Sequence, residues 1–195
     1  MGTNSNLNRH FANQRTFRKL LEAMSNPGRT VELGKGNGKR ENDYEWIFQV
    51  GECLLDSKVS YGLLGECEYL AGSLKTTQGM LKPIEESDYI FILVPYSDER
   101  IEEILSQCKS GVLSDPDQSS TIIILLESIE GKCSMRLKGP GIPGEVQYNY
   151  DDEIYRWVCK REQMNYGYPL GVDLIFVTGD GSMMALPRLV KPLDN

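Results

Sequence analysis

Side chains that act as nucleophiles or general bases are scarce in this chain. Its single histidine is His10, so a Ser-His-Asp or Cys-His arrangement would depend on this one residue. His10 lies in a polar N-terminal stretch, which favours a surface position. The five cysteines, widely spaced and without a CxxC pair, are Cys53, Cys67, Cys108, Cys133 and Cys159. This set predicts reduced thiols, no metal site and no catalytic constellation.

Two glycine-rich segments suggest phosphate binding, but neither carries a complete motif. Gly139–Gly144 matches the GxGxxG spacing of dinucleotide-binding loops. However, Pro140 and Pro143 lack the backbone N–H groups that approach a pyrophosphate, and no helix pattern follows directly. We interpret this segment as a rigid turn that positions a strand or contacts a ligand. The stretch 34–40 is one residue short of P-loop spacing, which predicts a solvent-exposed loop.

Asp173 is an acidic residue whose position needs an explanation, because it begins an otherwise apolar predicted strand. A carboxylate there either faces solvent at the strand end or is held by a partner such as an arginine. Arg188, which closes the last predicted strand, is one candidate partner. The acidic pairs at 85–86, 102–103 and 151–152 predict no shared pocket, since surface pairs of this kind are common.

Alternating helices and strands must position these residues. The helix predicted at 17–24 has one apolar face, formed by Phe17, Leu20, Leu21 and Met24, and it ends at the turn 26–28. The apolar runs 89–94 and 121–126 are typical of strands covered on both faces. Further helices are predicted at 46–55, 66–74, 98–108 and 151–164, strands at 30–33, 59–64, 134–138, 172–178 and 182–186, and a loop at 115–117. This order predicts an α/β fold, a three-layer α/β/α domain with a mixed central sheet.

Length and composition predict one soluble domain over residues 1–195, with 1–12 as a flexible N-terminal arm. The 195 residues are 40% hydrophobic and 25% charged, which is ordinary for a globular protein. A net charge of −7 excludes a dedicated nucleic-acid binder. The N-terminus lacks the pattern of a signal peptide, and no apolar run approaches the ~20 residues that span a bilayer. We therefore expect a cytoplasmic protein without a membrane partner.

Charge is distributed unevenly along the chain. Residues 1–40 carry eight basic and two acidic side chains, whereas residues 41–195 carry 13 basic and 26 acidic ones. The N-terminal segment therefore has a charge of +6 and the remainder −13. A basic segment on an acidic body suits an anionic ligand or an acidic partner surface, and a solvated helix face is the alternative.

Four segments together resemble one protein family. They are Gln14–Gly28, Arg136–Ile142, Tyr168–Ile175 and Leu186–Arg188, and they occur in this order over nearly the whole chain. With these segments the chain resembles PhnH, a subunit of the bacterial carbon–phosphorus lyase system, which degrades phosphonates. A match to one such segment alone would be weak support for the resemblance, but matches to four segments in the family's order make it specific.

This resemblance implies an α/β/α fold like that of pyridoxal-phosphate-dependent transferases, without that cofactor. It also implies a homodimer when isolated, and a core complex with the subunits PhnG, PhnI and PhnJ. In that system, subunits G, H, I and L transfer the ribose triphosphate of ATP to an alkylphosphonate, the reaction of a ribose 1-methylphosphonate 5-triphosphate synthase. The nucleosidase chemistry is credited to PhnI, so a PhnH-like chain is an accessory subunit with no assigned catalytic residue, metal or cofactor.

Six residues are candidates for binding a phosphonate, an ATP-derived ligand or a partner subunit: Arg18, Arg29, Gly139, Gly141, Asp173 and Arg188. Guanidinium groups suit both kinds of contact, and pairing with surface acids is the alternative role of the arginines. A second hypothesis is an autonomous α/β enzyme that binds a nucleotide or phosphate ligand through the turn Gly139–Gly144. Turnover by the isolated chain distinguishes the two.

Overall fold

The computed structural model describes residues 3–34 and 44–193. The α-helices in this part of the chain are α1 (Thr3–Ser25), α2 (Glu45–Leu54), α3 (Glu68–Leu74), α4 (Asp98–Gln107) and α5 (Asp152–Gln163). None of these described helices is long and apolar enough to cross a lipid bilayer. Apart from Gly34, the loop predicted at 34–40 lies outside the described residues.

Twelve strands connect these helices in the described part of the chain. They are β1 (Val31–Glu32), β2 (Ser60–Leu64), β3 (Met80–Leu81), β4 (Tyr89–Ile92), β5 (Ser110–Val112), β6 (Asp115–Ser119), β7 (Thr121–Leu126), β8 (Glu130–Lys138), β9 (Val146–Tyr150), β10 (Asp173–Thr178), β11 (Ser182–Leu186) and β12 (Lys191–Leu193). A short 3₁₀ turn, Ile84–Glu86, precedes β4. Strands β3, β5, β6, β9 and β12 were not predicted from the sequence, because these short segments lack a continuous apolar run.

The central sheet has seven strands in the order β1-β11-β10-β7-β4-β2-β3. Strands β10, β7, β4, β2 and β3 are mutually parallel, whereas β11 pairs antiparallel with both β10 and β1. The predicted hairpin of β10 and β11 is therefore confirmed, as is the mixed α/β sheet.

Alternate residues of the sheet point into two separate cores. Ile122 and Ile124 of β7 pack towards α4 and α5, and a three-stranded sheet, β12-β8-β9, covers the same side. Ile123 points the other way, into the core formed with α1, α2 and α3. Both faces of the central strands are buried, which is why their sequences read as continuous apolar runs. The further likeness to pyridoxal-phosphate-dependent transferases stays a prediction.

The inner face of α1 differs from the predicted one. Thr16, Leu20 and Ala23 are buried, and the Thr16 hydroxyl accepts a 2.7 Å hydrogen bond from the Gln49 amide of α2. Phe17 and Leu21, which were expected to face inward, are exposed. The helix is therefore rotated relative to its apolar pattern, because a polar pair lies inside the α1–α2 contact. It begins at Thr3, so most of the segment predicted as a flexible arm is helical; its flexibility stays a prediction.

The predicted loop at Asp115-Pro116-Asp117 is wrong. These residues belong to β6, which forms a two-stranded ribbon with β5. A proline is tolerated here because β6 pairs on one side only. The ribbon has a bulge at Gly111, which has a φ of +81°. The absence of a side chain there lets the two strands approach closely, since a Cβ atom on Gly111 would lie 2.8 Å from the Pro116 carbonyl oxygen.

Phe176 provides a test of the two-sided core. Its side chain is fully buried on β10, so Phe176→Ala removes a large packed ring and should lower the free energy of unfolding by about 3–5 kcal/mol. Phe11→Ala is the matched control, because Phe11 is 62% exposed and its loss should cost less than about 1 kcal/mol. Urea unfolding followed by circular dichroism measures both; equal losses would contradict this packing.

Candidate functional site

A cleft of about 770 Å³ lies at the carboxyl ends of β4, β7 and β10. Ligands of open α/β sheets commonly bind at this edge. Its apolar wall comes from residues that directly follow β4 and end β7, together with one residue before α2: Leu93, Pro95, Leu125, Leu126 and Tyr44. The site therefore has the place and size of a ligand cleft, and its polar wall decides what it accepts.

That polar wall is acidic. Its charged residues are Glu127, Asp151, Asp152, Glu153 and Asp180, and no lysine or arginine is among the described residues that line the cleft. The pair Asp151-Asp152, for which no shared pocket was predicted, thus lies in one. The signal that was missed is its position at the start of the helix predicted at 151–164, because a helix N-terminus can lie at the edge of the sheet where such clefts form.

Three of these acidic residues belong to the N-terminus of α5. The Asp151 carboxylate accepts a 3.0 Å hydrogen bond from the backbone N–H of Glu153 and so caps the helix. Asp152 and Glu153 occupy the first turn, where the positive end of the helix dipole stabilises them. The Glu153 carboxylate also accepts a 2.8 Å hydrogen bond from the Arg156 guanidinium, which offsets its charge. A helix N-terminus that would otherwise attract a phosphate is therefore occupied by carboxylates.

Asp180 adds a further negative charge from the β10–β11 turn. Its carboxylate accepts hydrogen bonds from the Thr178 hydroxyl and, at 3.0 Å, from the backbone N–H of Ser182. These bonds, with that of Thr178 the largest cause, lower the pKa of Asp180, so the group is ionised at neutral pH. The described part of this wall thus disfavours a phosphate or triphosphate.

The predicted glycines lie at a junction between chain segments rather than in this cleft. Gly141 has a φ of +85°, and a Cβ atom there would lie 2.8 Å from Pro27 Cδ and 2.9 Å from the Ser25 carbonyl oxygen. The turn after β8 therefore packs directly on the end of α1. Gly139, at φ +153°, approaches the Leu189 carbonyl oxygen to within 2.7 Å on the same measure.

Gly28 closes this junction from the other side. Its N–H donates to the Ala185 carbonyl of β11 at 3.1 Å, and its carbonyl accepts a 3.0 Å hydrogen bond from the Tyr150 hydroxyl of β9. Burial raises the pKa of Tyr150, which keeps this hydroxyl a donor. We call the contact of Gly28, Gly139, Gly141 and Tyr150 the glycine junction. It brings three of the four motif segments, or residues directly beside them, into contact.

Asp173 has a hydrogen-bond partner in Arg188, but the donor is the Arg188 backbone N–H and not its guanidinium. The Asp173 carboxylate accepts a 2.7 Å hydrogen bond from the Arg188 N–H. The Arg188 guanidinium reaches away, to the Pro116 carbonyl and the Ser119 hydroxyl of β6. The third and fourth motif segments therefore meet here, and Arg188 ties the β5–β6 ribbon to the end of β11.

Arg18 and Arg29 are both exposed, and neither lines the acidic cleft. Arg18 lies on α1, and the Arg29 N–H donates to the Asn26 carbonyl in the turn that ends this helix. Neither is joined to Arg188 by a hydrogen bond or ion pair among the described residues. Ligand or partner binding by the six predicted residues stays a prediction.

Arg161 is a charged residue that the sequence did not single out. It is buried on α5, and its guanidinium donates hydrogen bonds of 2.6 Å to the carbonyls of both Leu186 and Val190. Burial lowers its pKa to about 10, so it stays protonated at neutral pH. It satisfies carbonyls at the end of β11 and before β12, and so holds the fourth motif segment, Leu186–Arg188, against α5.

The two most buried thiols, Cys53 and Cys108, are not activated as nucleophiles. All five cysteines are free of disulfides. Burial raises the pKa of Cys53 to about 11 and that of Cys108 to about 12, which disfavours the reactive thiolate. His10 is exposed, and no group of three or more His, Cys, Asp or Glu side chains within residues 3–34 and 44–193 is arranged to hold a metal ion.

Two comparisons with known proteins agree with each other. The sequence model of the family described as "Bacterial phosphonate metabolism protein (PhnH)" matches residues 6–192. A protein of Stutzerimonas stutzeri, described as "Putative C-P lyase subunit protein HtxG", is 28% identical over 176 residues, which cover 90% of this chain and 83% of that protein.

The glycine junction predicts different costs for two similar substitutions. Gly141→Ala forces a positive φ and places its Cβ against Pro27 and Ser25, whereas Gly144→Ala forces a positive φ with nothing within 4 Å. The control should lose about 1–2 kcal/mol of unfolding free energy through backbone strain alone. Gly141→Ala should lose at least about 1 kcal/mol more through overpacking. Chemical denaturation measures the difference, and equal losses would argue against the junction.

Arg161→Met tests the buried guanidinium. This change should lower the free energy of unfolding by about 3–5 kcal/mol, because it leaves the carbonyls of Leu186 and Val190 without a donor. Arg100→Met on α4 is the control, since Arg100 makes only a partly exposed pair with Glu103, and it should change stability far less. A stable Arg161→Met protein would show that water or another group replaces the guanidinium.

Proposed function

Because this chain belongs to the PhnH family of bacterial phosphonate metabolism proteins, we propose that it is an accessory subunit of the carbon–phosphorus lyase core complex. We place it at the step that transfers the ribose triphosphate of ATP to an alkylphosphonate. The observation that carries the proposal is the family match over residues 6–192, joined by the relative that is described as a C-P lyase subunit protein.

The chemistry of the described residues supports an accessory role. The cleft at the strand ends is lined with carboxylates, and none of the described residues that line it is a lysine or arginine that would bind a phosphate directly. Cys53 and Cys108 have raised pKa values, and the six residues proposed for binding include four that hold chain segments together: Gly139, Gly141, Asp173 and Arg188. Such a subunit contributes by assembling with others that carry the reaction.

The proposed partners are subunits of the PhnG, PhnI and PhnJ types. We place the assembly in the cytoplasm, and we propose a homodimer for the isolated chain. These proposals rest on the family, and no cofactor is assigned to this subunit.

The alternative, an autonomous enzyme that binds a nucleotide through Gly139–Gly144, has less support. This turn leads from β8 directly into β9, so no helix N-terminus follows it. In a dinucleotide-binding loop, the space beside the glycines is left for the pyrophosphate. Here the protein's own backbone occupies the space beside Gly139 and Gly141.

Growth on a phosphonate tests the proposed function. Deleting the gene for this chain should abolish growth on methylphosphonate as the sole phosphorus source, because the complex lacks one subunit. Growth on inorganic phosphate should be unchanged and serves as the control. A plasmid copy of the chain should restore growth.

The isolated chain provides the complementary measurement. Purified protein mixed with ATP and methylphosphonate should release no adenine. Rapid adenine release by the chain alone would favour the autonomous enzyme, and normal growth of the deletion strain would contradict a role in phosphonate metabolism.

A further inference from the structure

The outward side of α1 carries large apolar side chains that the protein's own core does not use. Phe11, Phe17 and Leu21 are 62%, 48% and 53% exposed. Helix residues three or four positions apart lie on the same side, so Phe17 and Leu21 stack along the axis, with Gln14 and Arg18 beside them. We call Phe11, Gln14, Phe17, Arg18 and Leu21 the outer face of α1.

This face is a property of the helix and not of a loosely held end. The opposite side is anchored by the buried Leu20 and Ala23 and by the 2.7 Å hydrogen bond between Gln49 and Thr16. The outer face is therefore presented on a packed scaffold, and binding it costs little ordering of the backbone. Apolar residues at helical spacing normally mark a buried side, so their exposure here makes this face a candidate docking surface.

The charge around this face is positive. Arg15 and Arg18 are exposed on the same helix, and the Lys19 ammonium makes a 2.8 Å pair with Glu22. An occupant that complements this surface offers an apolar groove with carboxylates at its rim.

We propose that the outer face of α1 is the surface by which this chain docks onto another protein subunit, through an apolar groove with an acidic rim. This inference rests on the proposed function, which makes the chain one subunit of a complex. Phe17 and Leu21 enter the groove, and Arg18 pairs with a carboxylate at its rim. Arg18, predicted to bind a ligand or a partner, thus contacts the partner.

The tip of the β5–β6 ribbon is the competing surface. Val112 and Leu113 are 56% and 75% exposed there. Asp115 and Asp117 follow on β6, so an occupant of the ribbon would have to be basic. The ribbon is a two-stranded sheet of its own, whereas α1 packs on both α2 and β11. The outer face of α1 is the more rigid surface and has the larger apolar side chains, so we favour it over the ribbon as the docking surface.

Co-purification with the other subunits tests the docking face. The chain is co-expressed with affinity-tagged G, I and J subunits from the same genome, and the amount retained is measured by quantitative mass spectrometry. The test variant is Phe17→Gln/Leu21→Gln, which keeps good helix formers. The matched control is Val112→Gln/Leu113→Gln on the ribbon. Circular dichroism verifies that both variants fold.

The wild-type chain should be retained, the α1 variant should fall at least tenfold, and the ribbon variant should stay near the wild-type level. Loss with the ribbon variant alone would overturn the inference, as would equal retention of both variants. If light scattering shows that the α1 variant loses only self-association while retention is unchanged, the face joins two copies and the inference is wrong. No retention of the wild-type chain would overturn the proposed function itself, and this inference with it.

Discussion

The architecture depends on one close approach, the contact of the turn at Gly139 and Gly141 with the end of α1 and the chain after β11. At Gly141 the backbone of one segment lies where a side chain would touch Pro27 and Ser25. Gly28 then bonds to β11 on one side and to Tyr150 of β9 on the other. Through these contacts the three-stranded sheet and α1 are tied to the central sheet, and their relative positions set the shape of the whole surface.

Charge separates the two surfaces that this framework presents. Carboxylates line the cleft at the strand ends, and α5 directs its acidic first turn there. The exposed Arg18 belongs to the apolar outer face of α1, and α1 packs on the face of the sheet opposite to α5. Buried charge is used differently: Arg161 lies inside the protein and satisfies backbone carbonyls. The charged side chains of the described residues thus either stabilise the fold or form charged surfaces. This pattern is consistent with the proposed role as a subunit of a complex.

Much of the fold could be predicted from the sequence, because buried strands and helix ends have local signals. The apolar runs at 89–94 and 121–126, and the helices predicted at 98–108 and 151–164, correspond to elements that the structure contains. The orientation of α1 could not be predicted, since the burial of Thr16 depends on Gln49, 33 residues away. The acidic cleft combines segments near 93, 125, 151 and 180, which no local pattern connects. The motif segments contain the three glycines of the glycine junction but not Tyr150, and the interpretation of Gly139–Gly144 as a rigid turn did not identify the end of α1 as its contact.

Reconstitution of the transfer reaction tests the central claim most directly. Adenine release from ATP and methylphosphonate is measured with purified G, H, I and L subunits, where this chain serves as H, and then with this chain omitted. We predict rapid release from the full set, none from this chain alone, and a loss of at least tenfold when it is left out. Release that is unchanged without this chain would contradict the assignment as a required subunit.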